Sequence, residues 1–395
     1  MNATGLKNQR NQRLIRSKTE GNSSTKVKDM KVCSQCIVPE SFPGITFENG
    51  VCTFCRMHVT APRVKKELLG KDKLLAKLTG GRKSAYHCVV GLSGGKDSSY
   101  ALYYITRVLG FKPLAVFFDN GFITEHAKKN IDTICTKLNV DLVVCKATPF
   151  RTNIIKESVH LARFTGKLNA CVNCENNLRT SVINEATKRE IPYVIYAATD
   201  YEDPFTIFLN PAAKTFRETR VKGKPGFIGA IKKLKWNLFD PLFLPLNLPD
   251  RPKYIYHFLL SKYYVVRDNI RMRPPEGLNR LNPSMHVTFE GKKTETLYLF
   301  DYIEYNPQRM IETLKKEVGW GAPAGRESRM DCMLGCFANY QYLREKGITK
   351  DGFTFSVLVR NGLLSREEAL RKEEILKEGL KEECVRVKAE ILSRA

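Results

Sequence analysis

Tyr86-His87-Cys88-Val89-Val90-Gly91-Leu92-Ser93-Gly94-Gly95-Lys96-Asp97-Ser98-Ser99 reads as a buried strand, a glycine turn and the opening of a helix. The residues ahead of the glycines are apolar, and Ala101, Leu102, Ile105 and Leu109 keep helical spacing after them, which predicts a helix from Ser98 to about Leu109. A strand–turn–helix unit aims several backbone N–H groups and the positive end of a helix dipole at one spot, and that spot suits phosphate. The spacing excludes a Walker loop. With Gly91 as its first glycine, positions 96 and 97 would have to be Gly and Lys, and they hold Lys96 and Asp97. A Gly-x-Gly-x-x-Gly dinucleotide fingerprint is absent as well.

The chain of 395 residues has room for two or three domains, and 43% hydrophobic with 10% aromatic content fits a globular protein. No apolar run approaches the ~18–20 residues that span a bilayer, and no signal peptide opens the chain, so the expectation is a cytoplasmic protein without membrane insertion. Twelve cysteines fall mostly into close pairs, which points to metal or thiol chemistry in a reducing compartment rather than to disulfides. The net charge of +24 suits a polyanionic partner: tRNA, an acidic carrier protein or a phosphorylated sugar.

Residues 1–31 form a basic arm whose composition predicts disorder. Cys33-x2-Cys36 and Cys52-x2-Cys55 follow, separated by fifteen residues that include Gly44, Asn49 and Gly50. Four thiolates in two tight knuckles make a closed tetrahedral zinc site, so residues 32–60 read as a structural zinc ribbon. Residues 63–83 read as a basic connector helix within an ATP-binding domain spanning 61–250. A second strand, Pro113–Phe118, ends in Asp119-Asn120-Gly121, where a carboxylate beyond a strand end suits a ribose hydroxyl. A helix near His126–Leu138, a strand at Asp141–Cys145 and a fourth strand at Tyr193–Ala198, ending at Thr199, continue the alternation. These units predict an α/β fold with a doubly wound, mostly parallel sheet. A fifth sheet element near Leu238–Leu246 is broken by Pro241 and Pro245. Cys88, Cys135 and Cys145 sit singly in apolar elements and read as small core residues.

Lys214–Lys235 carries eight basic residues against Glu218 alone and reads as a basic flap over polyphosphate or an acidic substrate. Residues 251–395 read as a mixed C-terminal region that completes the site. It holds a small hairpin around Glu290-Gly291-Lys292-Lys293 and one amphipathic helix over Ser365–Leu392.

A second cysteine set is Cys171-x2-Cys174, opening a helix, with the distant Cys332 and Cys336. A helix start lowers thiol pKa and brings two sulfurs together. If Cys332 or Cys336 folds beside this pair, three thiolates would leave one iron of a [4Fe-4S] cluster open to carry sulfur, and four would make a second closed site.

Ser93-Gly94-Gly95-Lys96-Asp97-Ser98 resembles the SGGxDS loop of the PP-loop ATP pyrophosphatases, which carry a HUP-like α/β fold. Cys33 through Cys55, Gly91–Ser98, Asp119-Asn120-Gly121 and Val359–Ala369 are similar to the N-acetyl sugar amidotransferases, over most of residues 31–370. That family implies ammonia from a glutaminase subunit and a sugar substrate, here a nucleotide sugar. Cys171, Cys174 and Arg179 resemble the two-CxxC tRNA thiolation and thioamide synthetase enzymes, with a sulfur donor as partner and Cys332 or Cys336 as the later cluster ligand. The chain departs from that branch where Ala197-Ala198 stand in place of a Gly-His pair.

Both likenesses imply adenylation of a carbonyl oxygen with release of pyrophosphate. Lys96 and Asp97 are then catalytic, Asp97 helping to hold Mg2+, and Cys171, Cys174 and Cys336 carry the sulfur step. Ser93, Gly94, Gly95, Asp97, Ser98, Ser99, Asp119 and Thr199 form the ATP set. The extra cysteines favour sulfur over ammonia, and a homodimer is one assembly this reading allows. A zinc-ribbon protein that binds ATP and docks on nucleic acid without catalysis is the remaining class.

Exposed charge acts over about 8–10 Å near physiological salt. The kcat/KM for the true acceptor should therefore fall steeply as NaCl rises, while ATP affinity changes less. Neutralising Lys222, Lys224, Lys232 and Lys233 together should flatten that dependence, and a turnover indifferent to both would indicate a small acetamido sugar as acceptor.

Overall fold

The computed structural model describes residues 31–60, 67–80, 84–147, 149–165, 171–199, 201, 250–271, 286–289, 292–323 and 331–393. The basic arm through residue 30, the 214–235 flap and the Leu238–Leu246 stretch lie outside these residues. In the cysteine module, β1 (Phe47–Glu48) and β2 (Val51–Cys52) pair antiparallel across Asn49-Gly50. Both turn residues have positive φ, 49° and 77°, as a tight hairpin of this type requires. Cys55 follows in α1 (Thr53–Thr60). The connector is helical as α2 (Lys71–Gly80), which buries Leu74 and Leu78.

The strand of the glycine stretch is β3 (Cys88–Gly91), and its helix is α3 (Lys96–Tyr103). The helix begins two residues earlier than the apolar spacing suggests, because Gly95 in extended conformation supplies its cap. A π turn at Tyr104–Val108 carries it on. The chain continues through β4 (Pro113–Asp119), α4 (Glu125–Leu138), β5 (Leu142–Lys146), α5 (Pro149–Thr165), α6 (Cys171–Lys188) and β6 (Tyr193–Tyr196). Then come α7 (Arg251–Arg271), β7 (His286–Phe289), β8 (Lys292–Tyr298) and α8 (Pro307–Val318). The C-terminal helices are α9 (Gly335–Lys346), α10 (Lys350–Arg360), α11 (Arg366–Lys377) and α12 (Leu380–Ser393). Among the described residues no helix is long and apolar enough to cross a membrane.

The main sheet, six strands among the described residues, has the order β5-β4-β3-β6-β8-β7. Its first five strands run parallel and β7 closes one edge antiparallel. The chain leaves β3 outward through β4 and β5, then returns to place β6 on the other side of β3. The carboxyl ends of β3 and β6 therefore flank a topological switch point, where open α/β sheets bind ligands. Alternate strand residues feed opposite cores. Val90, Ala115, Phe117 and Ile195 pack with Leu102, Ile131 and Leu314 from α3, α4 and α8. Val89, Leu114, Val116 and Val194 pack with Val182, Ile183 and Ala186 of α6. That alternation is the doubly wound arrangement.

One expectation is extended and one corrected. The expected small hairpin is present, β7 pairing antiparallel with β8, and β8 also supplies the fifth parallel strand of the main sheet by pairing with β6 through Tyr193↔Glu295 to Tyr196↔Tyr298. Its Lys292-Lys293-Thr294-Glu295-Thr296 opening lacks the apolar run of a central strand. The terminal helix is two helices, broken at Glu378-Gly379, where Gly379 takes φ 66°.

The cysteine module and the C-terminal helices share one core with the sheet. Phe353 of α10 stacks on Phe42 at 5.0 Å and meets Phe54 edge-on at 5.7 Å. Arg366 Nε donates to the Cys33 and Cys36 carbonyl oxygens at 3.1 and 3.0 Å, clasping the first knuckle. Charge-assisted bonds of this kind contribute about 1.5–3 kcal/mol. Arg366→Ala should lower stability by about that amount in denaturant unfolding. Cys33→Ser should cost more, because structural zinc contributes folding energy directly. An Arg366→Ala protein as stable as the parent would show that the clasp contributes nothing.

Candidate functional site

The loop between β3 and α3 is shaped from behind. Gly94 takes φ 79°, and a Cβ there would overlap the Ala127 carbonyl oxygen of α4. Its own carbonyl accepts from Trp320 Nε1 at 2.9 Å and from Asn130 Nδ2 at 3.2 Å. Within the loop, Ser98 Oγ accepts from Ser93 N at 3.1 Å and lies 3.1 Å from Ser93 Oγ, while Gly95 N donates to Ser93 Oγ at 3.4 Å. The first turn of α3 presents the N–H groups that a helix start leaves without helical partners.

The cleft in front of the loop is lined by Ser93, Gly95, Lys96, Asp97 and Ser98 on one wall. Glu175, Arg179, Tyr196, Ala197, Ala198 and Asp331 line the rest. Lys96 is nearly buried, pairs with Asp97 at 2.6 Å and lies 5.5 Å from the centre of the Tyr305 ring. Across the cleft, Arg179 lies over the Tyr196 ring at 5.3 Å, donates to Tyr298 Oη at 3.3 Å and pairs with Glu175 at 2.8 Å. An anion in this cleft would meet helix-start N–H groups on one side and the Arg179 guanidinium on the other.

Not every expected ATP residue faces this cleft. Ser99 is fully buried behind the loop, because its place in the first turn of α3 turns it toward the core. Gly94 supports the loop against α4 rather than lining the cleft. Asp119 Oδ1 accepts from Gly121 N at 2.8 Å, and Thr199 Oγ1 accepts from Tyr201 N at 3.3 Å, so both make local turns outside the cleft lining. Asp331 and Tyr196 were not anticipated. Asp331 has no local signal, being carried in by the Ile123↔Cys332 bridge and by Met333 N donating to Phe122 O at 2.9 Å.

That same bridge assembles part of the second cysteine set. Asn120, nearly buried, donates from Nδ2 to Cys174 Sγ at 3.4 Å and to Cys332 Sγ at 3.6 Å. Burial pushes the Cys332 thiol up to about 12. Cys336 is not with them. It donates to the Met333 carbonyl at 3.3 Å and lies beside Cys384 of α12, which raises its pKa further. The Cys171 side chain lies outside the described residues. Among the described residues, Cys174 and Cys332 thus meet at Asn120, while the contacts of Cys336 are with Met333 and Cys384.

The Cys33, Cys36, Cys52 and Cys55 sulfurs all lie within 4.8 Å of one another, with Cys33–Cys55 at 3.8 Å and Cys36–Cys52 at 3.7 Å. Tetrahedral zinc with bonds of about 2.3 Å separates its sulfurs by about this distance. Arg360 Nη1 donates to Cys36 Sγ at 3.5 Å and Cys52 N donates to Cys33 Sγ at 3.3 Å, both suited to thiolates. The set fits zinc with no position left open, a structural centre.

Fold and site together define an α/β protein with a phosphate-directed loop at the switch point of a parallel sheet and a four-cysteine metal module. No family model matches the chain. An uncharacterized protein of Methanocaldococcus jannaschii is 30% identical over 120 residues, covering 28% of this chain and 41% of that relative. Among solved structures, the chain is similar to an NH3-dependent NAD synthetase from Campylobacter jejuni, at 15% identity and a TM-score of 0.24 over 53% of this chain and 97% of that one. It is also similar to an NMN synthetase from Francisella tularensis, at 15% identity and a TM-score of 0.27 over 55% and 97%.

The two loop glycines should respond differently to substitution. Gly94→Ala should destabilise the fold itself, through positive φ and the clash with α4. A Cβ at Gly95 meets Ser93 Oγ at 3.4 Å, ordinary contact, so Gly95→Ala should fold normally and lose nucleotide affinity in calorimetry. Unchanged affinity in a folded Gly95→Ala protein would remove the loop from nucleotide binding.

Proposed function

We propose that this protein is a PP-loop ATP pyrophosphatase that adenylates a carbonyl or amide oxygen of an acidic acceptor and then lets sulfur replace that oxygen. The observation that carries the adenylation is the Ser93–Ser98 loop, held open toward a cleft with Arg179 opposite. The acceptor oxygen attacks the α-phosphorus of ATP, the bond to the β,γ-phosphates breaks, and pyrophosphate leaves. The loop N–H groups, Lys96 and Arg179 would stabilise the charge that grows on the phosphates. Asp97 and Asp331, both lining the cleft, would hold Mg2+, which supplies charge neutralisation between phosphates when bound. The incoming nucleophile then adds to the activated carbon and AMP departs.

Sulfur is favoured as the nucleophile by Cys174 and Cys332, which meet at Asn120 and directly follow or precede lining residues in sequence, Glu175 and Asp331. Ammonia is the second reading. It is favoured by the high pKa of Cys332, which keeps that thiol protonated near neutral pH, and by the diversion of Cys336 to Cys384. The positive charge of the chain suits tRNA or an acidic carrier protein as acceptor, or a nucleotide sugar in the ammonia reading.

The test is AMP and pyrophosphate release with ATP, Mg2+ and, in turn, total tRNA, an acidic carrier protein and nucleotide N-acetyl sugars, each with sulfide or ammonium. Pyrophosphate should appear with one acceptor and be supported by sulfide. Cys174→Ser and Cys332→Ser should abolish product formation while leaving ATP affinity intact. Turnover with ammonium that survives both changes would assign nitrogen transfer, and no pyrophosphate with any acceptor would leave an ATP-binding docking protein.

A further inference from the structure

Away from the cleft, α5 and α7 lie side by side and antiparallel. A buried ion pair between Arg151 and Asp268, which also accepts from Asn177 Nδ2 at 2.6 Å, joins one end of the interface. Phe164 meets Tyr254 edge-on at 5.8 Å near the other. Between these layers stand Glu157 and His160 of α5 and His257 of α7. Glu157-Ser158-Val159-His160 places a carboxylate and an imidazole three residues apart, on one face of a helix. The facing helix adds the second imidazole. One ligand atom from each of the three lies within 4.8 Å of the others.

We infer that Glu157, His160 and His257 form a second metal site, taking a divalent first-row transition ion of the Zn2+ kind. The donor set carries the choice of ion. Two imidazole nitrogens and one carboxylate oxygen suit zinc and its neighbours, whereas Mg2+ and Ca2+ take oxygen ligands throughout. The three side chains are gathered, and because imidazole lone pairs lie in the ring planes, one of the two stacked rings must rotate for both to reach a single ion. Glu157 is nearly buried, His257 Nδ1 donates to Glu157 Oε2 at 2.7 Å, and the two imidazole rings stack at 4.3 Å with an 11° tilt. A bound ion takes the place of the proton shared by His257 and Glu157, and that proton leaves to solvent. Three protein ligands leave a fourth position open.

The site would have a mechanical consequence. Among the described residues, α7 packs chiefly on α5, and Tyr256, Leu259, Tyr263, Val266 and Ile270 face outward and exposed. Coordination across α5 and α7 would staple this outer helix to the body by bonds stronger than the stack and the ion pair alone. None of the three ligands lines the nucleotide cleft, so the inference stands whatever that cleft binds.

The experiment is a Co2+ titration of the full zinc-loaded chain, with the closed four-cysteine site kept occupied. One equivalent should bind with visible d–d bands and without thiolate charge transfer, which separates it from any cysteine ligation. Glu157→Gln keeps the size and hydrogen-bonding capacity of the side chain, and should weaken that binding at least about tenfold with unchanged circular dichroism. His160→Ala should remove it. No such equivalent in the parent protein, or one that persists in both variants, would overturn the site and leave only an ion pair between two helices.

Discussion

The Gly94 carbonyl oxygen sits between the Trp320 indole and the Asn130 amide, and the shape of the candidate site depends on those two donors. Asn130 Nδ2 also donates to Gly321 O at 2.8 Å, and its Oδ1 accepts from Gly321 N at 3.0 Å. Three segments distant in sequence, the loop, α4 and the turn after α8, are locked by one satisfied network. Buried networks of this kind hold a geometry because any displacement leaves a polar group unpaired. With its carbonyl tied backward, the loop keeps its helix-start N–H groups facing the cleft before any ligand arrives. Preorganisation of donors is what makes such a site useful for stabilising growing phosphate charge.

The cysteine module plays a different part. Its four sulfurs are enclosed by Phe42, Phe54 and Phe353 and by the arginines of the 360–366 stretch, far from the open chemistry of the cleft in composition and character. The closed donor set suits holding rather than reacting. Its consequence is architectural, because Arg360 and Arg366 tie the C-terminal helices to the start of the described chain. The same C-terminal region also supplies β8 to the sheet and Asp331 to the cleft wall. Residues 33–55 and 359–369, more than 300 positions apart, therefore meet in this structure.

Much of the centre of the fold was legible because its signals are local. The glycine loop, its apolar strand, the spacing of α4 and the paired Cys-x2-Cys knuckles each depend on neighbours within a few residues. The side chains at the cleft rim were less legible. Asp119 was the expected ligand, yet in Asp119-Asn120-Gly121 the carboxylate closes its own turn and Asn120 faces the sulfurs. The sequence of a turn does not say which of its polar groups will satisfy the nearest N–H and which will face a neighbouring segment.

Cys332 and Cys336 show the boundary most clearly. They stand four residues apart, a spacing that one helical turn would place on a common face. Cys332 instead lies in the short bridge to Ile123 and turns toward Asn120, while Cys336 opens α9 and turns toward Cys384. The amino-acid sequence by itself determined the parallel α/β architecture, the phosphate-directed loop and the four-cysteine centre, because periodicity and close spacing are properties of the local chain. Only the tertiary structure decided that β8 is the fifth parallel strand, which thiol meets Cys174, and that two helices bring Glu157, His160 and His257 together. Those outcomes depend on contacts between segments tens to hundreds of residues apart, whose relative placement is set by packing and carries no pattern in either segment alone.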